Sequence, residues 1–197
     1  MRVLILGTHR SGTTNLTRTL GKVCNLLYVG EPWNYGLWSK KTYKYPDILK
    51  KFTLVKTIVE HVPYNLQGIS IFDFYADLVT YFDNVIILSR KDRVALAESR
   101  AHAITQGQWQ EKYSIAEPDK LDLDMEIVNE RCDLIIKIAK SLSLPITWYE
   151  NLYSGDLDTV TKTIKPWGID IDPNELMPHL DPKNKLRQKF KCKKSLI

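Results

Sequence analysis

The run Arg2-Val-Leu-Ile-Leu-Gly7, continued by Thr8-His-Arg-Ser-Gly-Thr-Thr14, decides how the rest of the chain is read. Arg2–Gly7 is a short, β-rich apolar stretch ending in glycine, the pattern of a parallel strand buried on both faces. Ser11–Asn25 then reads as a helix, with apolar positions at Leu16, Leu20 and Val23. Gly7 and Gly12 sit in the turn between them. Glycines so placed let the backbone wrap round an anion, and the first amides of the helix point at it. Thr8, Arg10, Ser11, Gly12, Thr13 and Thr14 are therefore the expected anion-binding residues. The hydroxyls add hydrogen bonds, and Arg10 is the cation within the loop. Against the triphosphate loop G-x-x-x-x-G-K-[ST], the glycines and Thr14 match, but Thr13 stands where the lysine belongs. A nucleotide hydrolase lacking that lysine loses its main cation for the β- and γ-phosphates.

Beyond this stretch, short apolar runs alternate with helical patterns. Leu27–Val29, Thr53–Val59, Val85–Ser89 and Ile146–Tyr149 read as strands. Ile71–Tyr81, Lys91–Thr105, Leu123–Ser141 and Leu157–Lys165 read as helices, and Pro32–Tyr45 as a loop or broken helix. The alternation predicts an α/β chain in three layers, with a mainly parallel central sheet flanked by helices. Ligands of such sheets bind at the carboxyl ends of the strands. There is no internal repeat and no low-complexity linker. We expect one domain over residues 1–182 and a basic tail over 183–197.

Composition sets the boundaries. At 197 residues the chain can bury one substantial core but is too short for two ordinary domains. Its formal net charge of +5 suits an anionic ligand and is too modest to indicate nucleic acid. Much of the excess lies in the stretch from Lys183 to Lys194, read as a solvated terminus. Cys24, Cys132 and Cys192 are few, scattered and odd in number, against both a disulfide framework and a metal-binding spacing. Cys24 and Cys132 are expected as core thiols in helices. The apolar run near the start, Val3–Leu6, is too short for a signal segment, and no stretch approaches the roughly 18 apolar residues of a membrane span. The expectation is a reducing, cytoplasmic setting with no membrane and no nucleic-acid partner.

Two further segments bear on the loop. In Val85-Ile-Ile-Leu-Ser-Arg-Lys-Asp-Arg-Val-Ala-Leu-Ala-Glu-Ser99 a buried strand ends in Arg90, and the next helix carries Ser99. Arg90 can make a charge-assisted contact to a phosphate, and Ser99 can add a hydroxyl. The second is Ile146-Thr-Trp-Tyr-Glu-Asn-Leu152, ahead of Trp167-Gly168-Ile169.

The order [KR]-S/T-G-[ST]-[ST], then arginine and serine, then a segment similar to Y-E-D-L, with Asn151 at its third position, resembles the sulfotransferases that use 3′-phosphoadenosine 5′-phosphosulfate (PAPS). The resemblance runs from residue 2 to about residue 170. The nine-residue spacing from Arg90 to Ser99, and Arg100-Ala-His-Ala-Ile-Thr-Gln-Gly-Gln-Trp109 after it, look more like the bacterial trehalose-type branch. In many other members the serine falls where this chain has Glu98. The resemblance implies the sulfotransferase variant of the P-loop-type fold. It also implies PAPS as donor with 3′,5′-adenosine bisphosphate as product, no metal, and a carbohydrate or small-metabolite hydroxyl as acceptor. By this likeness the Gly7–Thr14 loop takes the 5′-phosphosulfate, and Arg90 with Ser99 the 3′-phosphate. Tyr149 and Glu150 then anchor a turn near the nucleotide.

Sulfuryl transfer needs cations and amides where charge builds on the leaving phosphate, and a base for the acceptor proton. Arg10 and the loop amides suit the first task. Glu31, in Val29-Gly-Glu-Pro-Trp33, is the first candidate for the second; members with E-P here are thought to use the glutamate so. In the trehalose-type branch the acidic residue follows the proline, where this chain has Trp33 and Asn34. His9 is the other candidate, because imidazole titrates near neutrality. His61, His102 and His179 show no ligand spacing and are expected to be structural or exposed. The aromatic run Trp33–Tyr45 with Lys40, Lys41 and Lys44 reads as an acceptor platform, a lid or a homodimer contact. Gln106–Trp109 could cap the pocket, and Lys185–Arg187 could reach the 3′-phosphate. Two other functions stay open: a divergent P-loop kinase or hydrolase, and a binding module for adenosine bisphosphate that has lost turnover.

Overall fold

The computed structural model describes residues 1–34, 47–63, 66, 68–105 and 117–180, with side chains described from 125 onward in the last stretch. Five strands form the sheet: β1 (Val3–Gly7), β2 (Tyr28–Gly30), β3 (Leu54–Ile58), β4 (Asn84–Ser89) and β5 (Ile146–Trp148). Their order is β2-β3-β1-β4-β5, and every neighbouring pair is parallel. The helices are α1 (Thr13–Val23), α2 (Asp47–Lys51), α3 (Ile71–Val79), α4 (Arg93–Thr105), α5 (Glu117–Ser141), α6 (Tyr149–Leu152), α7 (Leu157–Ile164) and α8 (Pro173–Leu180), with a 3-10 turn at Lys165–Trp167. The α/β class and the parallel sheet flanked by helices thus stand as expected.

Side-chain alternation along the strands separates two cores. Leu4, Leu6, Val55 and Ile87 point to one face and pack with Phe74, Tyr75 and Leu78 of α3 and Ile135 and Ile138 of α5. Val3, Ile5, Leu54, Ile86 and Leu88 point to the other, against Leu16 and Leu20 of α1, Val160 and Ile164 of α7, and Leu176 and Leu180 of α8. A smaller cluster of Leu96, Ala97, Val128 and Cys132 joins α4 to α5.

Several boundaries differ from the sequence reading. Strand β1 starts at Val3, and α1 starts at Thr13, because Arg10 and Gly12 both adopt positive φ and hold the chain in a turn before the helix. Helix α5 begins at Glu117, earlier than the apolar pattern shows. Helices α2, α6 and α8 were not expected: α2 and α6 are too short to show a period, and α8 contains Pro178. Cys132 is buried, whereas Cys24 sits half-buried just past the end of α1, so only one of the two is a core thiol inside a helix. Most of the aromatic run, Gln106–Trp109 and the basic tail fall outside the described residues. No helix among those described is long and apolar enough to cross a membrane.

Strand order places the site. From β1 the chain moves by α1 towards β2 and β3; from β4 it moves by α4 and α5 the other way, to β5. The loops after adjacent β1 and β4 therefore diverge, and a crevice opens between them at the carboxyl edge of the sheet.

Candidate anion-binding and acid–base site

The loop after β1 lies on that crevice. Gly7 must be glycine: a Cβ there would lie 2.3 Å from the Thr13 side chain and 2.9 Å from the Leu88 carbonyl oxygen. The Ser11 hydroxyl donates to the Thr8 carbonyl at 2.7 Å and closes the turn on itself. Thr8, Ser11 and Thr13 are buried, and Thr14 is exposed. The Thr8 hydroxyl is buried with no hydrogen-bond partner among the described residues. Helix α1 then starts with no side-chain cap and no acidic residue in its first turn, so its positive end is left to the loop. Gly12, at φ 89°, rests on two stacked rings, Tyr149 and Tyr153, and the Tyr153 hydroxyl donates to the Gly12 carbonyl at 3.0 Å.

On the β4 side, cations gather. Arg10 adopts φ 63°, unusual for a branched-chain-free but bulky residue, and its Nε donates to Ser99 Oγ at 3.1 Å. Burial and the nearby positive charge of Arg90 both pull the Arg10 guanidinium below its ordinary range. The Arg90 guanidinium lies over the Tyr149 ring, 4.6 Å from its centre, and 3.8 Å from Glu150 Oε1. Glu150 also accepts from the backbone N–H groups of Lys91 and Asp92, at 3.0 to 3.1 Å, and so ties the start of α4 to the end of β5. Arg10, Arg90, Ser99, Tyr149 and Glu150 form one half of the site. Ser99 faces the loop, while Glu98 is exposed.

The other half lies over β2 and β3. Glu31, at φ 52° just past β2, is ion-paired with Lys56 of β3 and accepts from Asn34 Nδ2 at 2.8 Å. Burial would raise the Glu31 carboxyl, but the charge and hydrogen bond of Lys56 outweigh it and hold it below the usual range. Lys56 is 3% exposed. Burial pulls its ammonium down, and Glu31 counters that in part. Its Nζ donates to Thr14 Oγ1 at 3.4 Å, which brings a cation from a neighbouring strand to a loop that lacks the usual lysine.

His9 turns towards the same side. Its Nε2 lies 2.9 Å from Glu60 Oε1, and Arg131 of α5 reaches that oxygen at 2.9 Å as well. Burial would raise the Glu60 carboxyl; the contact with His9 and the charge of Arg131 bring it below the usual range. Tyr75 fixes the segment by donating to the carbonyls of Ile58 and Val59 at 3.1 Å. His61 packs edge-on to His9, with centroids 5.5 Å apart, and burial pushes its imidazole down to about 4. Two adjacent residues past β3, Glu60 and His61, thus meet a loop residue after β1. His102 is exposed, and His179 is half-buried, its carbonyl accepting from Asn15 at 3.3 Å. Possible ligand atoms of His9, Glu60 and His61 lie within 4.8 Å of one another. The charges of Arg131 and Lys56 bear on the same group, so we read it as an ion-pair network.

Reading the sequence alone misses Lys56, Glu60 and Arg131. Lys56 had a signal: a lysine inside a strand that should be apolar on both faces. Glu60 and His61 had a weaker one, as adjacent ionisable residues beyond a carboxyl strand end. Arg131 had none, because it is one basic residue among many on a long amphipathic helix. No family model matches the chain, and no curated protein matches it significantly.

Proposed function

We propose that this protein is a sulfotransferase that moves a sulfuryl group from 3′-phosphoadenosine 5′-phosphosulfate to a carbohydrate or small-metabolite hydroxyl. The observation that carries the reading is the convergence of Arg10 and Arg90 beside an uncapped helix end. Two like charges from the ends of two strands disfavour each other unless an anion lies between them. The orphaned Thr8 hydroxyl and the tight cradle at Gly7 suit the same ligand class. The motif order described above supports reading that anion as a phosphosulfate with a separate 3′-phosphate.

The donor is a substrate, and when bound it supplies the sulfuryl group and a phosphate leaving group. In this reading the Gly12–Thr14 amides and Arg10 hold the phosphosulfate and take up negative charge as the leaving phosphate departs. Arg90 and Ser99 hold the 3′-phosphate, with Glu150 and Tyr149 fixing the angle of the Arg90 guanidinium. Lys56 sets an ammonium beside Thr14, but Glu31 already neutralises it. That balance suits a sulfuryl group better than a more highly charged γ-phosphate.

Calorimetric titration with 3′,5′-adenosine bisphosphate, run beside ATP with magnesium, tests the reading. Tight binding of the bisphosphate with weak binding of ATP is expected whether or not magnesium is present. The reverse preference would move the chain to the phosphoryl-transfer class, for which Lys56 would stand in for the absent loop lysine.

A further inference from the structure

We propose that Tyr153 is a positioning residue that fixes the spacing of the two anion subsites. It thereby makes the site select a nucleotide carrying both a 5′- and a 3′-phosphate group over one carrying either alone. This rests on the sulfuryl-transfer reading above, in which the Gly7–Thr14 loop and Arg90 each hold one of the two groups.

The loop follows β1 and Arg90 follows β4, so chain connectivity does not hold one against the other. A run of side-chain contacts does. The Tyr153 hydroxyl donates to the Gly12 carbonyl at 3.0 Å. Its ring stacks on Tyr149, with centroids 4.5 Å apart and planes 28° from parallel. The Arg90 guanidinium in turn lies over the Tyr149 ring, 4.6 Å from its centre. Glu150, the next residue of α6, stands 3.8 Å from Arg90 Nε and accepts from the Lys91 and Asp92 amides. Short helix α6 therefore holds Arg90, and Tyr153, which caps it, holds the loop.

Tyr153 acts on the frame of the site. The Gly12 carbonyl also accepts from the Leu16 N–H at 3.0 Å, so it points along α1, away from the amide end that faces an anion. A hydroxyl bonded to that carbonyl lies behind the loop. The bond is also made where the loop is freest to swing, at a glycine with φ 89°. Arg10 meets Ser99 of α4 at 3.1 Å, but in the sulfuryl-transfer reading both of those side chains contact the ligand.

Two phosphate groups on one ribose are separated by a set distance. Subsites held at that distance take the second group with no further ordering cost, so the pair binds more tightly than either alone. A monophosphate uses one subsite and is indifferent to the spacing. Loss of the spacer should therefore show in the bisphosphate alone, whereas loss of a residue that merely supports the fold should weaken all nucleotides alike.

Calorimetric titration of the full chain with adenosine 5′-monophosphate, adenosine 3′-monophosphate and 3′,5′-adenosine bisphosphate tests this. The wild-type protein should bind the bisphosphate at least about 100-fold more tightly than either monophosphate. Tyr153→Phe keeps the ring and leaves the Gly12 carbonyl its Leu16 partner, so the variant should fold. It should weaken the bisphosphate about tenfold, the size of one lost hydrogen bond, and each monophosphate by less than about twofold. Tyr153→Leu, which also removes the ring stack, should weaken the bisphosphate further. Unchanged bisphosphate affinity in folded Tyr153→Phe overturns the proposal, as do equal losses for all three nucleotides. A wild-type protein that binds a monophosphate as tightly as the bisphosphate overturns it without any variant. Each of these results, with bisphosphate bound by the wild type, removes the spacer alone; failure of the wild type to bind the bisphosphate removes the sulfuryl-transfer reading and the spacer with it.

Discussion

Arg10 and Arg90 differ in what surrounds them, and the difference predicts different losses. Arg90 is supported by Tyr149 and Glu150, and in the proposed reaction it holds a phosphate already charged in the ground state. Arg90→Ala should weaken 3′,5′-adenosine bisphosphate binding by about 1.5–3 kcal/mol, read by calorimetry. Arg10, in the loop and bonded to Ser99 of α4, would by the same proposal face charge that grows during transfer. Arg10→Ala should therefore lower the turnover rate more than it lowers bisphosphate affinity; equal losses in binding alone would contradict that division. His61 adds a pH dependence. Burial lowers its folded-state pKa to about 4, with Glu60 and Glu31 opposing the fall and His9 and Lys56 adding to it. The unfolded chain therefore binds the proton first as pH drops through about 6.5, and stability declines from there towards pH 4. Between pH 7 and pH 5 the loss should reach about 2 kcal/mol, measured by urea unfolding, and His61→Gln should flatten that slope.

At the scale of elements, the turn from β1 to α1 is held by contacts remote in sequence. Gly12 has a left-handed φ, and a Cβ there would lie 2.9 Å from the Tyr153 ring and 3.0 Å from that of Tyr149. Gly12→Ala should combine backbone strain with displacement of those rings, costing at least about 1 kcal/mol in thermal unfolding. Because Tyr149 also lies under Arg90, the same change should weaken bisphosphate binding although residue 12 is on another strand loop from Arg90. The α4 start behaves likewise: Glu150 holds Lys91 and Asp92 from beyond β5, so the two strand ends move as a unit.

For the molecule as a whole, the α8 helix decides how firmly the loop helix sits. Leu176 and Leu180 are buried with Leu16 and Leu20 of α1, and the side chains of Asn15 and Thr19 donate to the His179 carbonyl. Leu176→Ala should lower stability by about 2–5 kcal/mol in urea unfolding, as a cavity opens under α1. Where the variant remains folded, its affinity for the bisphosphate should persist, because no loop residue is removed.

The class of the fold and half of the candidate site were legible in the order of residues. Apolar runs ending at Gly7 and Ser89 read as buried parallel strands, and a strand, a glycine turn and a helix in succession bring backbone amides and Arg10 together at one turn. These features are local: each follows from residues within a few positions of one another. The other half depends on which strands become neighbours. Strand order set β3 beside β1, and that neighbourhood brought Lys56 to Thr14, Glu31 to Lys56, and Glu60 to His9. A charge inside an apolar strand announces that a partner must exist, because an unpaired buried ammonium is too costly to persist, but nothing in the order of residues says which carboxylate answers it. Arg131 makes the point most sharply: 71 positions beyond Glu60 in sequence, it is found only by folding the chain.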